Sequence, residues 1–150
     1  MAYYSKNKYG NHKVTVQGVK YDSKKEAQRH YELKLLQRAG EITELKTQIP
    51  FVLLDSVNII KNGKKSKQSA VKYIADFVYL ENGKKIVEDL KSEATESDKN
   101  YRLKRKMLLA SDNEFDVFRE VINDKYGRVT VNEYKRYRKI KRSDIDEELY

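Results

Sequence analysis

Residues 71–91 read VKYIADFVYLENGKKIVEDLK, and this stretch decides the fold. Val71 to Leu80 is rich in β-branched and aromatic residues, which fit a pleated strand. Asn82-Gly83 is the strongest two-residue hairpin signal, because a type I′ turn needs positive φ at both central positions. Lys84 to Lys91 is then the return strand. With Asn82 and Gly83 as the loop, cross-strand partners have numbers that sum to 165, so Asp76 stands opposite Asp89 and Ile74 opposite Lys91. Opposed residues share a face, and so do residues two apart; Asp76, Asp89 and Lys91 therefore project together.

Like charges placed directly opposite each other, with Cβ atoms about 5 Å apart, destabilise a sheet. A divalent cation accounts for such a pair. Two carboxylates at that spacing can hold a hard ion such as Mg²⁺, with Mn²⁺ as a substitute, which lowers the pKa of bound water and offsets charge on a phosphate. Lys91, one strand repeat from Asp89, would orient the attacking water or neutralise the transition state. The competing interpretation is a solvated strand edge, and a one-residue bulge would separate the two faces. Glu88 alternates away from Asp89 and is assigned no metal.

Working outward, Glu41 to Leu45 leads to Gln48-Ile49-Pro50 and an apolar strand, Phe51 to Leu54, followed by a Lys-rich loop. Upstream, Asp22-Ser23 opens a helix of about 17 residues, with Ala27, Tyr31, Leu35 and Ala39 on one stripe and Gly40 as the stop. Lys13 to Val16 with Gln17-Gly18 makes a short strand and turn, and the extreme N-terminus is expected to be mobile. Downstream, Asp98 to Ala110 is a second helix, basic on one side with Leu103, Met107 and Ala110 on another. Phe115 to Val121 alternates as a strand, and Asn132 to Lys141 is expected to be a last helix. The order is helix, three strands, helix, strand, with additions at both ends. That is an α/β fold, a mixed sheet flanked by helices, in one domain over residues 1–150. Its core covers about 13–121, with a basic C-terminal extension over about 128–150.

The 150 residues carry 32 Lys+Arg and 23 Asp+Glu, a net charge of +9. The positive charge is clustered: Lys61, Lys64, Lys65, Lys67 and Lys72 occur with no acid between them, as do Lys99, Arg102, Lys104, Arg105 and Lys106. Six of the eight residues from Lys135 to Arg142 are basic, interleaved with Tyr137 and preceded by Tyr134, a mixture that suits phosphates and exposed bases. Asp144, Asp146, Glu147 and Glu148 form an acidic tail. With no cysteine, disulfide scaffolds, thiol catalysis and Cys-ligated zinc are excluded, and two separated histidines offer no His-rich metal site. No apolar run approaches the ~20 residues of a membrane span, and no signal peptide opens the chain. The expectation is a cytoplasmic protein with no membrane partner and no organic cofactor.

Tyr73-Ile74-Ala75-Asp76-Phe77 followed by Val87-Glu88-Asp89-Leu90-Lys91 resembles the PD-(D/E)XK nuclease superfamily, and the element order matches its restriction-endonuclease-like αβββαβ core. The resemblance implies that Asp76 and Asp89 are metal-binding and catalytic acids and that Lys91 is the catalytic lysine. Ala75 stands in place of the Pro that names the motif, and Asp89 in place of the commoner Glu. Many members add a glutamate from the first helix, which makes Glu26 a further metal and catalytic position. Ser23-x-x-Glu26 is also a capping box, in which Glu26 reaches back to the helix start, so both roles stand open. The run from Lys13 to Val121 is similar to small phage-encoded endonucleases, with Tyr21 to Ala27, Gln48 to Phe51, Tyr73 to Phe77 and Val87 to Lys91 in order. Gln48 is an accessory site residue or, more simply, a strand-edge glutamine.

Along the second helix Tyr101, Lys104 and Lys106 are expected phosphate contacts, and Lys135, Arg136 and Arg138 join them from the C-terminal extension. The resulting expectation is a Mg²⁺-dependent DNA endonuclease, selective for structure such as branched or junction DNA, as in phage DNA recombination within a bacterial host. Resolving a Holliday junction would take two symmetric active sites and hence a homodimer, yet no heptad seam or apolar patch in the sequence declares one. The alternative is a non-catalytic nucleic-acid-binding accessory, including one that serves assembly or packaging.

Overall fold

The computed structural model describes residues 3–6, 12–16, 19–21 and 23–136. Strands β1 (Tyr3–Lys6), β2 (His12–Val16) and β3 (Val19–Tyr21) form a small antiparallel sheet in that order, and β2 and β3 lie against α1 (Lys24–Arg38). Thus the expected strand at Lys13–Val16 forms. Part of the N-terminus expected to be mobile is strand β1, paired with β2 from Tyr3↔Thr15 to Lys6↔His12. The expected turn at Gln17-Gly18 lies outside the described residues.

The main sheet has five strands: β4 (Thr43–Leu54), β7 (Val71–Glu81), β8 (Lys84–Ser92), β9 (Val117–Asn123) and β10 (Val129–Lys135), ordered β10-β9-β8-β7-β4. Every neighbouring pair is antiparallel except β8 and β9, which run parallel. A parallel pair needs a crossover, and α2 (Glu93–Glu96) and α3 (Lys99–Ala110) supply it. The fold is therefore mixed α/β, with a mixed sheet flanked by helices. Among the described residues no helix is long and apolar enough to cross a membrane.

The sheet buries both faces. Against α3 lie Phe51, Tyr73, Ala75, Val78, Val87 and Phe118 with Tyr101 and Leu108 of the helix. Against α1 lie Phe77, Tyr79, Ile86 and Val117 with Leu33. Pro50 sits inside β4 at no cost to the ladder's interior, because β4 is an edge strand with a free side for a residue that has no N–H.

Besides β1, and besides α3, which buries Tyr101 and Leu108 while Leu103 is exposed, three elements differ from the sequence expectation. In α1 the Ala27, Tyr31, Leu35 stripe faces outward, with Tyr31 64% and Leu35 44% exposed, while the buried residues are Glu26 and Leu33. The inward face is polar at its N-terminal end because it carries an ion pair and part of the site described below. The stretch read as a Lys-rich loop is a hairpin, β5 (Val57–Lys61) and β6 (Lys64–Gln68), turned by Asn62-Gly63 with φ of 52° and 75°. Finally, Asn132–Lys135 is strand, not helix: Val129–Lys135 pairs with β9 and covers what would otherwise be an open sheet edge. Residues 137–141 of the expected last helix, and the acidic tail, lie outside the described residues.

Candidate active site

The 82–83 turn forms as expected, with φ of 51° at Asn82 and 74° at Gly83, and the register follows the 165 rule for five pairs from Glu81↔Lys84 to Phe77↔Glu88. There the ladder stops, one pair short of the two aspartates. Side chains take over: the Asp76 backbone N–H donates to Asp89 Oδ1 at 3.2 Å, and the Leu90 backbone N–H donates to Asp76 Oδ2 at 2.9 Å. Each carboxylate thus satisfies a backbone donor on the opposite strand, in place of the missing carbonyl.

The strands change sides at the same level. Tyr73 and Ala75 pack toward α3, whereas Phe77 and Tyr79 pack toward α1, so strict alternation slips by one residue at Asp76. In β4, Gln48 opposite has a φ of 52°, and Leu45 lies on the α1 side while Ile49 and Phe51 lie on the α3 side. The opposed pair Asp76↔Asp89 and the pair Ile74↔Lys91 therefore do not form as ladder rungs. Convergence of Asp76, Asp89 and Lys91 nevertheless holds. It arises from an opened sheet, where strand splaying makes room for the carboxylates.

Asp89 is fully buried, and Lys91 Nζ lies 3.1 Å from its Oδ2. The Tyr73 hydroxyl donates to the same oxygen. Lys91 also sits over the Tyr101 ring, 5.2 Å from its centroid. Burial alone would lower the Lys91 pKa, but the Asp89 and Asp76 carboxylates reverse it and hold the ammonium above its ordinary range. The Asp76 carboxyl is pushed up to about 9, first by burial, then by the negative charge and hydrogen bonding of Asp89, with Lys91 opposing the rise. Ionised together, two acids and one ammonium would carry an excess of negative charge; the raised Asp76 carboxyl relieves it by keeping its proton, and a bound cation would take that proton's place.

Glu26 is 5% exposed at the start of α1. Ser23 Oγ accepts from the Glu26 backbone N–H at 3.1 Å, which makes the serine half of the cap. The Glu26 carboxylate is turned toward β4: Gln48 Nε2 donates to its Oε1 at 2.8 Å and reaches Asp76 Oδ1 at 3.4 Å. Gln48 therefore ties Glu26 to Asp76. A cleft of about 440 Å³ opens over this group, lined by Glu26, Asp76, Lys91, Ser92, Asp98 and Asn100 among others.

The acids that line the cleft are Glu26, Asp76 and Asp98, with Asp89 buried next to Asp76, and their hard carboxylate oxygens suit Mg²⁺ or Mn²⁺ and no soft metal. Among the described residues, no three Asp, Glu, His or Cys side chains are gathered into a ready metal cage. Two aspartates with Glu26 joined through a glutamine fit an ion that keeps several of its waters, as Mg²⁺ does.

The remaining expected residues separate into two groups. Lys104, Lys106 and Lys135 are exposed. Tyr101 is not available to a phosphate: it is 9% exposed, and its hydroxyl donates to the buried Glu120. Arg136 is likewise engaged, donating to the carbonyls of Ser111 and Asn113 just past α3 and stacking on Phe115 at 4.3 Å. Arg138 lies outside the described residues. Glu88 faces α1, as alternation from Asp89 requires, and takes two 2.8 Å hydrogen bonds from Arg29. Sequence reading missed Tyr73 as a support for Asp89 and set Gln48 aside as an edge residue; strand periodicity carries no signal for contacts made where the strand departs from it.

A family described as "Protein of unknown function (DUF1064)" matches residues 6–127. No curated protein matches the chain. Among solved structures, one titled "Crystal structure of SSO0001" is similar at 18% identity over 73% of this chain and 50% of its own, with a TM-score of 0.42. The chain thus spans about half the length of that structure.

Proposed function

We propose, for a chain that belongs to the DUF1064 family and takes no established activity from it, a metal-dependent endodeoxyribonuclease of the PD-(D/E)XK type. The observation that carries this reading is the pair of carboxylates stitched across the opened β7–β8 junction, with Lys91 Nζ 3.1 Å from Asp89. A binding module has no use for two adjoining buried acids, one of which must keep its proton or share a cation to sit beside the other. Asp76 and Asp89 would hold Mg²⁺, with Glu26 beside them. The ion supplies an acidified water and charge neutralisation at the phosphate.

The chain's own groups do the rest. Tyr73 fixes one oxygen of Asp89, leaving the carboxylate's orientation set by β7 and β8 together. Gln48 donates closely to Glu26 and more loosely to Asp76, and so links the two acids. Lys91, kept charged by the acids, is placed to donate to the attacking water or to a non-bridging phosphate oxygen. The phosphodiester gains a water oxygen and loses one sugar oxygen, so it leaves as a phosphate monoester and an alcohol.

The test is cleavage of end-labelled four-way junction, flap, nicked, duplex and single-stranded DNA with Mg²⁺, Mn²⁺ or EDTA. Wild type should give metal-dependent products, lowered by roughly a hundredfold or more in Asp89→Asn, which keeps size and removes the charge. Products that persist at full rate in the variant, or no products with any substrate and metal, would overturn the assignment.

A further inference from the structure

The hairpin β5–β6 is a separate two-stranded sheet, hydrogen-bonded to no other strand and inserted between β4 and β7. Nine of its ten strand residues are exposed, Ile60 at 74%, so it buries almost no apolar surface of its own. Isolated two-stranded hairpins are marginal in water. Its charge adds to the cost: Lys61 and Lys64 are directly opposed, Lys65 and Lys67 follow, and no acid occurs from Ser56 to Ala75. None of these four lysines is paired with an acid among the described residues. A ribbon that neither packs nor neutralises itself is explained by what it meets.

We infer that the β5–β6 ribbon is an arm that enters the major groove of duplex DNA. The register places Lys61 and Lys64 on one face and Lys65 and Lys67, opposite Ile60 and Asn58, on the other. A flat contact would use one face only; a ribbon lying in a groove has a wall of phosphates on each side and uses both. The major groove of B-DNA, about 12 Å wide, admits a two-stranded ribbon, whereas the deep, narrow major groove of A-form RNA does not. The arm's base at Val71 is five residues from Asp76, about 17 Å along β7, or roughly half a helical turn of DNA. That spacing matters only if DNA also crosses the acids, and in this respect the placement rests on the nuclease reading; groove binding by the arm does not.

The experiment is equilibrium binding of the full chain to a 30-bp duplex, in EDTA, across a salt series, for wild type, a fourfold Lys→Gln variant at positions 61, 64, 65 and 67, and the matching fourfold Lys→Arg variant. Each lysine on a phosphate adds about 0.9 to the slope of log K against log salt, so the Gln variant should lose about three to four from that slope and bind an order of magnitude or more weaker. The Arg variant should retain both, which also shows that the surface tolerates substitution. An unchanged slope in the Gln variant overturns the arm. An equal loss on single-stranded DNA of the same length, or equal competition by polyglutamate, overturns groove entry in favour of a general polyanion contact. Lysine-dependent duplex binding without cleavage in Mg²⁺ would remove the nuclease reading and leave the arm standing.

Discussion

Asp76 keeps its proton at neutral pH, because burial and the adjacent Asp89 carboxylate push it up to about 9. In the unfolded chain the same group ionises near 4. Between these values the folded state holds one more proton than the unfolded state, so this group makes stability fall as pH rises. In EDTA, urea unfolding of wild type should show a larger loss of stability from pH 5 to pH 8 than Asp76→Asn, and equal losses would contradict the protonated buried acid. A divalent cation held at the proposed site would compete with that proton. Calorimetry in buffers of different ionisation enthalpy should therefore register proton release on Mg²⁺ binding at pH 7, and apparent affinity should grow with pH up to about 9. The residues Asp76, Asp89 and Lys91 were legible from a turn signal and a count of positions. Tyr73 and Gln48 were not, because both reach the acids where β7 and β4 cease to alternate, and the count assumes that alternation continues.

At the level of elements, α1 is fastened to the sheet by Leu33 and by an ion pair, not by the Ala27, Tyr31, Leu35 stripe. Arg29 donates through Nε and a terminal nitrogen to Glu88, whose side chain is fully buried, and the Tyr79 hydroxyl donates to Glu88 as well. Glu88 holds the Arg29 guanidinium charged well beyond its ordinary range, against the cost of burial. Removing one partner leaves a buried charge, so Arg29→Met should destabilise by about 3 kcal/mol in urea unfolding, while Arg29→Met with Glu88→Leu should recover part of the loss. A double variant as unstable as the single one would show that packing, not the stranded charge, sets the cost. The polar inward face also explains why hydrophobic spacing chose the wrong side of α1. Ala27, Tyr31 and Leu35 do repeat at four, but the helix end nearest the site buries Glu26 and half-buries Arg29 instead. The β5–β6 hairpin had the same Asn-Gly signal that located β7 and β8. Its lysines and lack of a buried face made it read as loop, since periodicity detects burial and this ribbon has almost none.

Over the whole molecule, charge and fold part company at the C-terminal end. Residues 137–150 contain four basic and four acidic side chains, so a chain cut after Arg136 keeps its net charge of +9. The cut at residue 131 is different in kind. Asn132 and Tyr134 of β10 donate to Glu120, which is fully buried and also accepts from Tyr101 and Arg105. Arg136 holds the carbonyls that follow α3, and Phe118 packs on Tyr134 at 5.9 Å. Ending the chain at residue 131 therefore removes two partners of a buried carboxylate, reopens the edge of β9 and frees the end of α3. The sequence leads to the expectation of a last helix over Asn132–Lys141 with phosphate contacts from Lys135, Arg136 and Arg138, but the first residues of that stretch serve the sheet, where an alternating Val129, Val131 and a turn at Asp124–Gly127 set strand geometry first. Chain 1–136 should melt within a few degrees of the full chain and bind duplex DNA with a similar salt slope, because the ribbon and α3 lysines remain. Chain 1–131 should lose several kcal/mol, enough to unfold a marginal domain, as leaving a buried carboxylate short of donors and exposing a strand edge predict. Circular dichroism melts of the two truncations, beside the same binding titration, separate the two roles. If 1–131 melts as high as 1–136, β10 contributes nothing to the sheet it closes; if 1–136 loses most of its DNA affinity, the grip on DNA lies beyond residue 136 and not on the ribbon or α3.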